Sequence, residues 1–227
     1  MCDEVATSRE HVPALCFFPE AKDLLPGAED MRRNLFTVPS CDAHNSKKSK
    51  DDQYLWHIVT MVQGLNECGQ NMVRTKVMRA IRRRPALVGS IMERAIAAYV
   101  FDFERGIWLS TAQSDFDFER LDSVLRQLGR ALHYLHFGTK WSKAVLVVPN
   151  FAKFGPTVGN RDVERNWHSL MRTFDQMMAG LKRFGDNQAA FYYQVMPPEM
   201  TGGSAVIRAT IYGGVTITFG FLDRPDE

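Results

Sequence analysis

An α+β fold follows from three features of the chain. Leu121, Val124, Leu125, Leu128, Leu132 and Leu135 recur at helical spacing between Phe118 and Phe137, which predicts one long amphipathic helix. Three runs rich in β-branched and aromatic residues close the sequence, at Ala189 to Val195, Ala205 to Tyr212 and Val215 to Phe221. Gly213-Gly214 between the last two is a tight-hairpin signal, so the sheet is expected to be mostly antiparallel, with helices mixed into it.

The other elements follow in chain order. An apolar helix is expected from Asp52 to Gln63, with Trp56 and His57 as packing residues, and Gly64 to Gln70 reads as a linker. Val73, Val77, Ala80 and Ile81 recur at helical spacing from about Asn71 to Arg84, and Pro85 ends that helix. Ala86 to about Ala98 reads as a further apolar helix, and Tyr99 to Leu109 as a hairpin turning at Arg105-Gly106. A short strand is expected at Ala144 to Val148 and a second long helix at Arg161 to Phe184. Phe-Asp-Phe-Glu-Arg occurs at 101 and again at 116, in different expected elements, so it is not a structural repeat.

Chemistry concentrates at the N-terminal end. Arg9-Glu10-His11-Val12-Pro13 is followed, from Asn34, by Asn-Leu-Phe-Thr-Val-Pro-Ser-Cys-Asp-Ala-His-Asn-Ser-Lys-Lys-Ser. A carboxylate, an imidazole, two amides and a Cys-x-x-His pair are the parts a one-metal phosphodiester nuclease needs: oxygen ligands for a hard cation, a base for water, and a small scaffold. The order and wording of this block, over about residues 2 to 55, resemble the HNH (His-Me finger) endonucleases. In that family a β-hairpin carries the first histidine with an acidic neighbour, and the following helix carries the last metal ligand.

The resemblance implies a ββα-metal module over residues 1–63, followed by an α+β domain over 64–227 that selects substrate or partner. It makes His11 the general base, Glu10 a metal ligand and Asn34 the residue that orients the histidine loop. Asn45 takes the position of the final metal ligand, and Lys48, one helical turn on, would reach the phosphate. Mg²⁺ or Mn²⁺ is the expected ion, since the ligands are oxygens. Cys41 and His44 have zinc-ligand spacing, and Cys2 stands where one cysteine of an earlier pair would be. Three structural zinc ligands are therefore visible. Either the chain start lies further upstream, or water, Asp3 or Cys16 fills the fourth place. Cys16, between Leu15 and Phe17-Phe18, reads better as a small core side chain.

A net charge of +2 does not by itself indicate nucleic acid, but its distribution does. Arg74, Lys76, Arg79, Arg82 and Arg83 share the expected basic helix, which would lay a row of cations along phosphates of DNA. His133 and His136 lie in an apolar helix and read as packing or surface residues. The run Leu121 to Leu125 through Gly129 to Tyr134 also resembles, more loosely, a helix behind the HNH module of uncharacterised bacterial proteins. With 227 residues, 45% hydrophobic, the chain can bury a sizeable core, and its four cysteines form no disulfide framework. No apolar run is long enough for a membrane span and no signal layout is present, so a cytoplasmic protein is expected.

The function so expected is a metal-dependent HNH endonuclease hydrolysing DNA in a bacterial or phage setting. Two alternatives stay open: a zinc-stabilised nucleic-acid-binding or assembly protein without the chemistry, and a nuclease acting on RNA.

Overall fold

The computed structural model describes residues 5–24, 27–83, 85, 95–102, 106–113, 116–151 and 161–222. Strand β1 (Ser8–His11) pairs antiparallel with β2 (Thr37–Ser40), placing Glu10 opposite Val38 and His11 opposite Thr37. Between them lie two single 3₁₀ turns, Leu15–Phe17 and Ala21–Asp23. Helix α1 (Asp42–Met61) begins directly after β2 and starts well before the expected Asp52. Its first half is polar and carries no hydrophobic period, so only the buried turn around Leu55, Trp56, Ile58 and Val59 was visible in the pattern.

The linker expected at Gly64 to Gln70 is shorter than the sequence suggests. Asn66 is an N-cap, its side chain accepting from the Gly69 amide at 3.0 Å, and α2 (Glu67–Met72) starts there. A π-helical turn (Val73–Val77) then leads into α3 (Met78–Arg83). Of the apolar helix expected at Ala86 to Ala98, residues 86–94 lie outside the described residues, and Ile96–Ala98 are extended instead. They open β3 (Ile96–Asp102), which pairs with β4 (Ile107–Gln113) in a hairpin longer than expected. Antiparallel backbone pairing, with Tyr99 opposite Ser110, holds this ribbon, and helical periodicity does not register it.

Helix α4 (Phe118–Phe137) matches its expected span, and both of its ends are capped. Asp117 accepts from the Arg120 amide at 3.0 Å, and Gly138 closes the helix at φ 71°. Strand β5 (Val145–Pro149) follows, then α5 (Arg161–Met178). This helix ends before the expected Phe184, for two reasons. Gly180 adopts φ 78°, and the Gln194 amide donates to the carbonyls of Met178 and Leu181, at 2.9 Å each, where the helix would have continued. Phe184 forms a bridge with Tyr193 instead.

Strands β6 (Phe191–Met196), β7 (Ala205–Ile211) and β8 (Val215–Phe221) complete an antiparallel sheet of order β5-β8-β7-β6, with the short α6 (Pro198–Thr201) between β6 and β7. The molecule is thus α+β with antiparallel sheets. Register assigns each sheet residue to a side. Phe219 lies beside Ile207 and Ile217 beside Ala209, which makes one side apolar. Helix α4 packs there so closely that a Cβ at Gly129 would stand 2.6 Å from the Phe219 ring.

Buried side chains of the hairpin–helix unit and of the sheet belong to one cluster, from Val12, Phe17 and Leu55 through Leu125 to Tyr212 and Phe219. Tyr212, fully buried, donates its hydroxyl to the Phe17 carbonyl at 2.6 Å. Asn34 donates to Asp186 at 3.0 Å, and Asn187 donates to the Arg33 carbonyl at 2.9 Å.

Candidate active site in the hairpin–helix unit

Because α1 starts immediately after β2, its second turn lies over the hairpin and faces β1. Lys48 Nζ there forms an ion pair with Glu10 of β1 and a second one, at 3.2 Å, with Asp52 one helical turn on. Ser40 of β2 donates to the other Glu10 oxygen at 3.5 Å. The three charged side chains are only 14% (Glu10), 11% (Lys48) and 12% (Asp52) exposed, so water screens them little.

Two carboxylates and one ammonium leave one negative charge unmatched in a poorly hydrated place. Burial pushes the Asp52 carboxyl up to about 6, with Lys48 opposing and Glu10 and Asp51 adding to the shift. Burial also works against the Lys48 ammonium, but the carboxylates of Asp52 and Glu10 outweigh it and hold its pKa above the ordinary lysine value. The cluster therefore keeps its lysine charged and has a carboxylate poised to titrate or to take a further cation.

The sequence-predicted residues are partly gathered here. Glu10 and Lys48 meet, and His11 follows Glu10 at the end of β1, its Nδ1 buried without a hydrogen-bond partner among the described residues. Asn45 and His44 fall in the first turn of α1, but their side chains, and all of Cys2, lie outside the described residues. Cys41, buried, is the residue before α1. Asn34 sits at φ 52° ahead of β2 and spends its amide on Asp186, on the sheet side of the molecule. Cys16 is half-buried beneath the cluster, its thiol 3.8 Å from the Asp52 carbonyl and its pKa pushed up to about 12 by burial, which suits a core thiol and not a thiolate ligand.

The basic residues separate into two kinds. Arg79 is clamped by both oxygens of Asp23, at 2.7 and 2.8 Å, and Lys76 lies over the Trp56 ring at 5.2 Å while donating to the Cys16 carbonyl at 2.8 Å. Arg74, Arg82 and Arg83 are exposed. Arg74 and Lys76 part company because residues two apart on a helix face opposite ways. His133 is buried against Phe137, Trp141 and Phe221, and His136 packs on Phe184; both are packing residues. His57 is buried beside Trp56, and burial lowers its pKa.

Asp52 is the member that sequence reasoning missed. Its signal is the Lys48-x-x-x-Asp52 spacing, which places the two on one helix face and extends the row begun by Asn45 and Lys48. The donor set suits a hard divalent cation: Glu10 and Asp52 offer carboxylate oxygens, and the unmatched charge favours a positive guest. Among the described residues no group of three or more His, Cys, Asp or Glu side chains is arranged around a common point. Also among the described residues, no helix is long and apolar enough to cross a membrane. Compared with protein-family models, with curated proteins and with solved structures, the chain matches none.

Proposed function

We propose that the hairpin–helix unit is the active site of a metal-dependent endonuclease of the HNH type, cleaving phosphodiester bonds of DNA. The observation that supports this best is the meeting of Glu10 with Lys48 and Asp52, all three little exposed, one residue along β1 from a histidine whose Nδ1 has no partner among the described residues. Glu10 and Asp52, with Asn45, would hold Mg²⁺ or Mn²⁺. That ion would supply charge stabilisation at the phosphate and the leaving oxygen.

The chain's own groups do the remaining work. His11 would serve as the general base, taking a proton from the attacking water. Lys48 is held charged and, once the cation takes its place between the carboxylates, would turn to a phosphate oxygen. Arg82 and Arg83, exposed at the end of α3, would meet the backbone of the same strand. Asn34 orients the segment before β2 through Asp186, a positioning role. Cys41 with His44 and Cys2 would add a structural zinc to this unit. RNA is an alternative substrate, because the chemistry named here does not involve the 2′-hydroxyl.

One observation favours a second reading, a binding or assembly protein without turnover: Lys48 engages both carboxylates, as a purely structural ion pair would. Plasmid cleavage with Mg²⁺ or Mn²⁺, against EDTA, separates the two. The wild type should nick or linearise DNA only with the metal, and His11→Ala should abolish turnover while DNA affinity stays within a few-fold. Metal-independent cleavage, or an active His11→Ala protein, would overturn the assignment.

A further inference from the structure

A second polar site lies on the other side of the four-stranded sheet, away from α4. The register that turns Phe219, Ile217 and Ala209 toward α4 turns Thr216, Arg208, Thr210, Tyr192 and Gln194 to the opposite side. An arginine and two threonines in the middle of paired central strands are unusual where covering helices normally impose apolar residues. Above them, the end of α5 and the Met178–Arg183 segment border an open groove of about 610 Å³, with Arg208, Thr210 and Thr216 in its floor. That is within the range of small-molecule sites, on the order of 300 to 1,000 Å³.

Arg208 is the anomaly. Its side chain is 5% exposed, yet the partner that accepts from its Nη2, Asp175 of α5, is 62% exposed. Nη2 also donates to Thr216 Oγ1 at 3.0 Å, and the Nε, equally buried, has no hydrogen-bond partner among the described residues. A guanidinium offers Nε and Nη2 side by side as a fork that fits two oxygens of one oxyanion. Asp175 fills one prong only. A buried N–H left without an acceptor is costly, and a ligand oxyanion spanning both prongs would remove that cost.

The geometry points to a small-ligand site in which a phosphate monoester occupies the Arg208 fork and displaces Asp175 toward solvent. Phosphate is favoured over carboxylate because more donors surround the place than two oxygens can use. Beyond the fork, Thr216 accepts from Arg208 and keeps its own proton to donate, and Arg183 lines the same groove, stacked on Tyr192 at 4.7 Å. The volume leaves room for a sugar or base attached to the phosphate. Asp175 is then a placeholder, a carboxylate from the chain itself that holds the arginine until the ligand arrives. Nothing in this site depends on the nuclease reading, since it shares no residue with the Glu10 cluster.

Isothermal titration of the full chain with inorganic phosphate, 5′-AMP, adenosine and succinate tests the assignment. Saturable binding of phosphate and 5′-AMP, with none of adenosine, is expected. Asp175→Asn, a change at an exposed position, should tighten 5′-AMP about tenfold by removing the competing anion, the size of one charge-assisted hydrogen bond. Arg208→Lys keeps the charge but loses the fork, and should weaken 5′-AMP by about tenfold or more. A 5′-phosphorylated oligothymidylate binding better than 5′-AMP would identify the source as a strand end with the same chemistry, whereas equal binding of its 5′-hydroxyl counterpart would overturn the phosphate assignment. So would tighter binding of succinate than of phosphate, an unchanged affinity in folded Arg208→Lys, or no 5′-AMP binding to either the wild type or Asp175→Asn.

Discussion

The Glu10–Lys48–Asp52 cluster and the Arg208–Asp175 pair are both ion pairs at the edge of the core, but they are closed in different ways. All three members of the first are nearly dry, with two acids around one base. In the second the base is buried and the acid faces water. Burial makes each charge in the first cluster depend on the others, since the loss of one strands the rest in a medium that solvates them poorly. An exposed partner can leave at little cost, because water replaces it. The first arrangement is therefore suited to holding charges in fixed places, and the second to exchange.

Removing the shared base should break this contrast most visibly. Lys48→Met leaves Glu10 and Asp52 facing each other without a counter-charge, and should lower stability by about 3–5 kcal/mol in urea unfolding at pH 7, as for other broken buried pairs. Asp175→Asn should cost less, about 1–2 kcal/mol in the same measurement, because the asparagine oxygen still accepts from Arg208 Nη2 at the open edge of the groove. Equal losses would mean that exposure does not distinguish the two pairs.

The pH dependence sharpens the comparison further. The Asp52 pKa is raised from 3.8 to about 6 in the folded protein, so between those values the folded state binds more protons than the unfolded one. Stability should therefore fall as pH rises through this window and level off above it, by on the order of 3 kcal/mol from this group, at about 1.36 kcal/mol per pKa unit. Unfolding followed from pH 4 to pH 7 should show that slope in the wild type and lose it in Asp52→Asn. An unchanged slope in the variant would mean that Asp52 is hydrated and that the cluster is more open than its burial indicates.

The smallest effect concerns the exposed cations. Arg79 is committed to Asp23, so the residues with which to probe DNA contact are Arg82 and Arg83. Replacing both with Gln should flatten the dependence of log affinity on log salt by about 1.8, roughly 0.9 per lost phosphate contact, with little change in stability. An unaltered slope would leave this face merely solvated, and recognition would have to be sought around Lys48.

What could be read from the sequence was what is local. Helix α4 was legible because its leucines keep one period from Leu121 to Leu135. The final hairpin was legible because Gly213-Gly214 leaves little choice of turn. The Glu10–Lys48 meeting was only half legible. Both residues stood out, but their contact joins positions 38 apart, and Asp52 was hidden in a charged stretch with no hydrophobic period. Arg208 drew no attention at all, since a lone arginine in a strand reads as an outward-facing residue until register and the covering helix are known. The early end of α5 was equally hidden, because the Gln194 amide that meets it comes from a strand after the next turn.

Tyr212 carries a consequence for how the chain can be inherited or dismantled. Its ring fills the junction between sheet and hairpin–helix unit, its hydroxyl is bonded to Phe17, and its own carbonyl accepts from the Asn66 amide at 2.8 Å. Gly69 presses against the same side chain, leaving no room for even a methyl group. Cutting the chain between Met61 and Glu67 would therefore leave the fully buried Tyr212 with Gly69 on one fragment and strip it of its Phe17 partner on the other. The N-terminal unit could not be moved into a new protein as a cassette without also supplying a surface that mimics Tyr212. Recombination at that point would expose buried apolar surface on both products, so substitutions on either side of the joint have to accommodate one another.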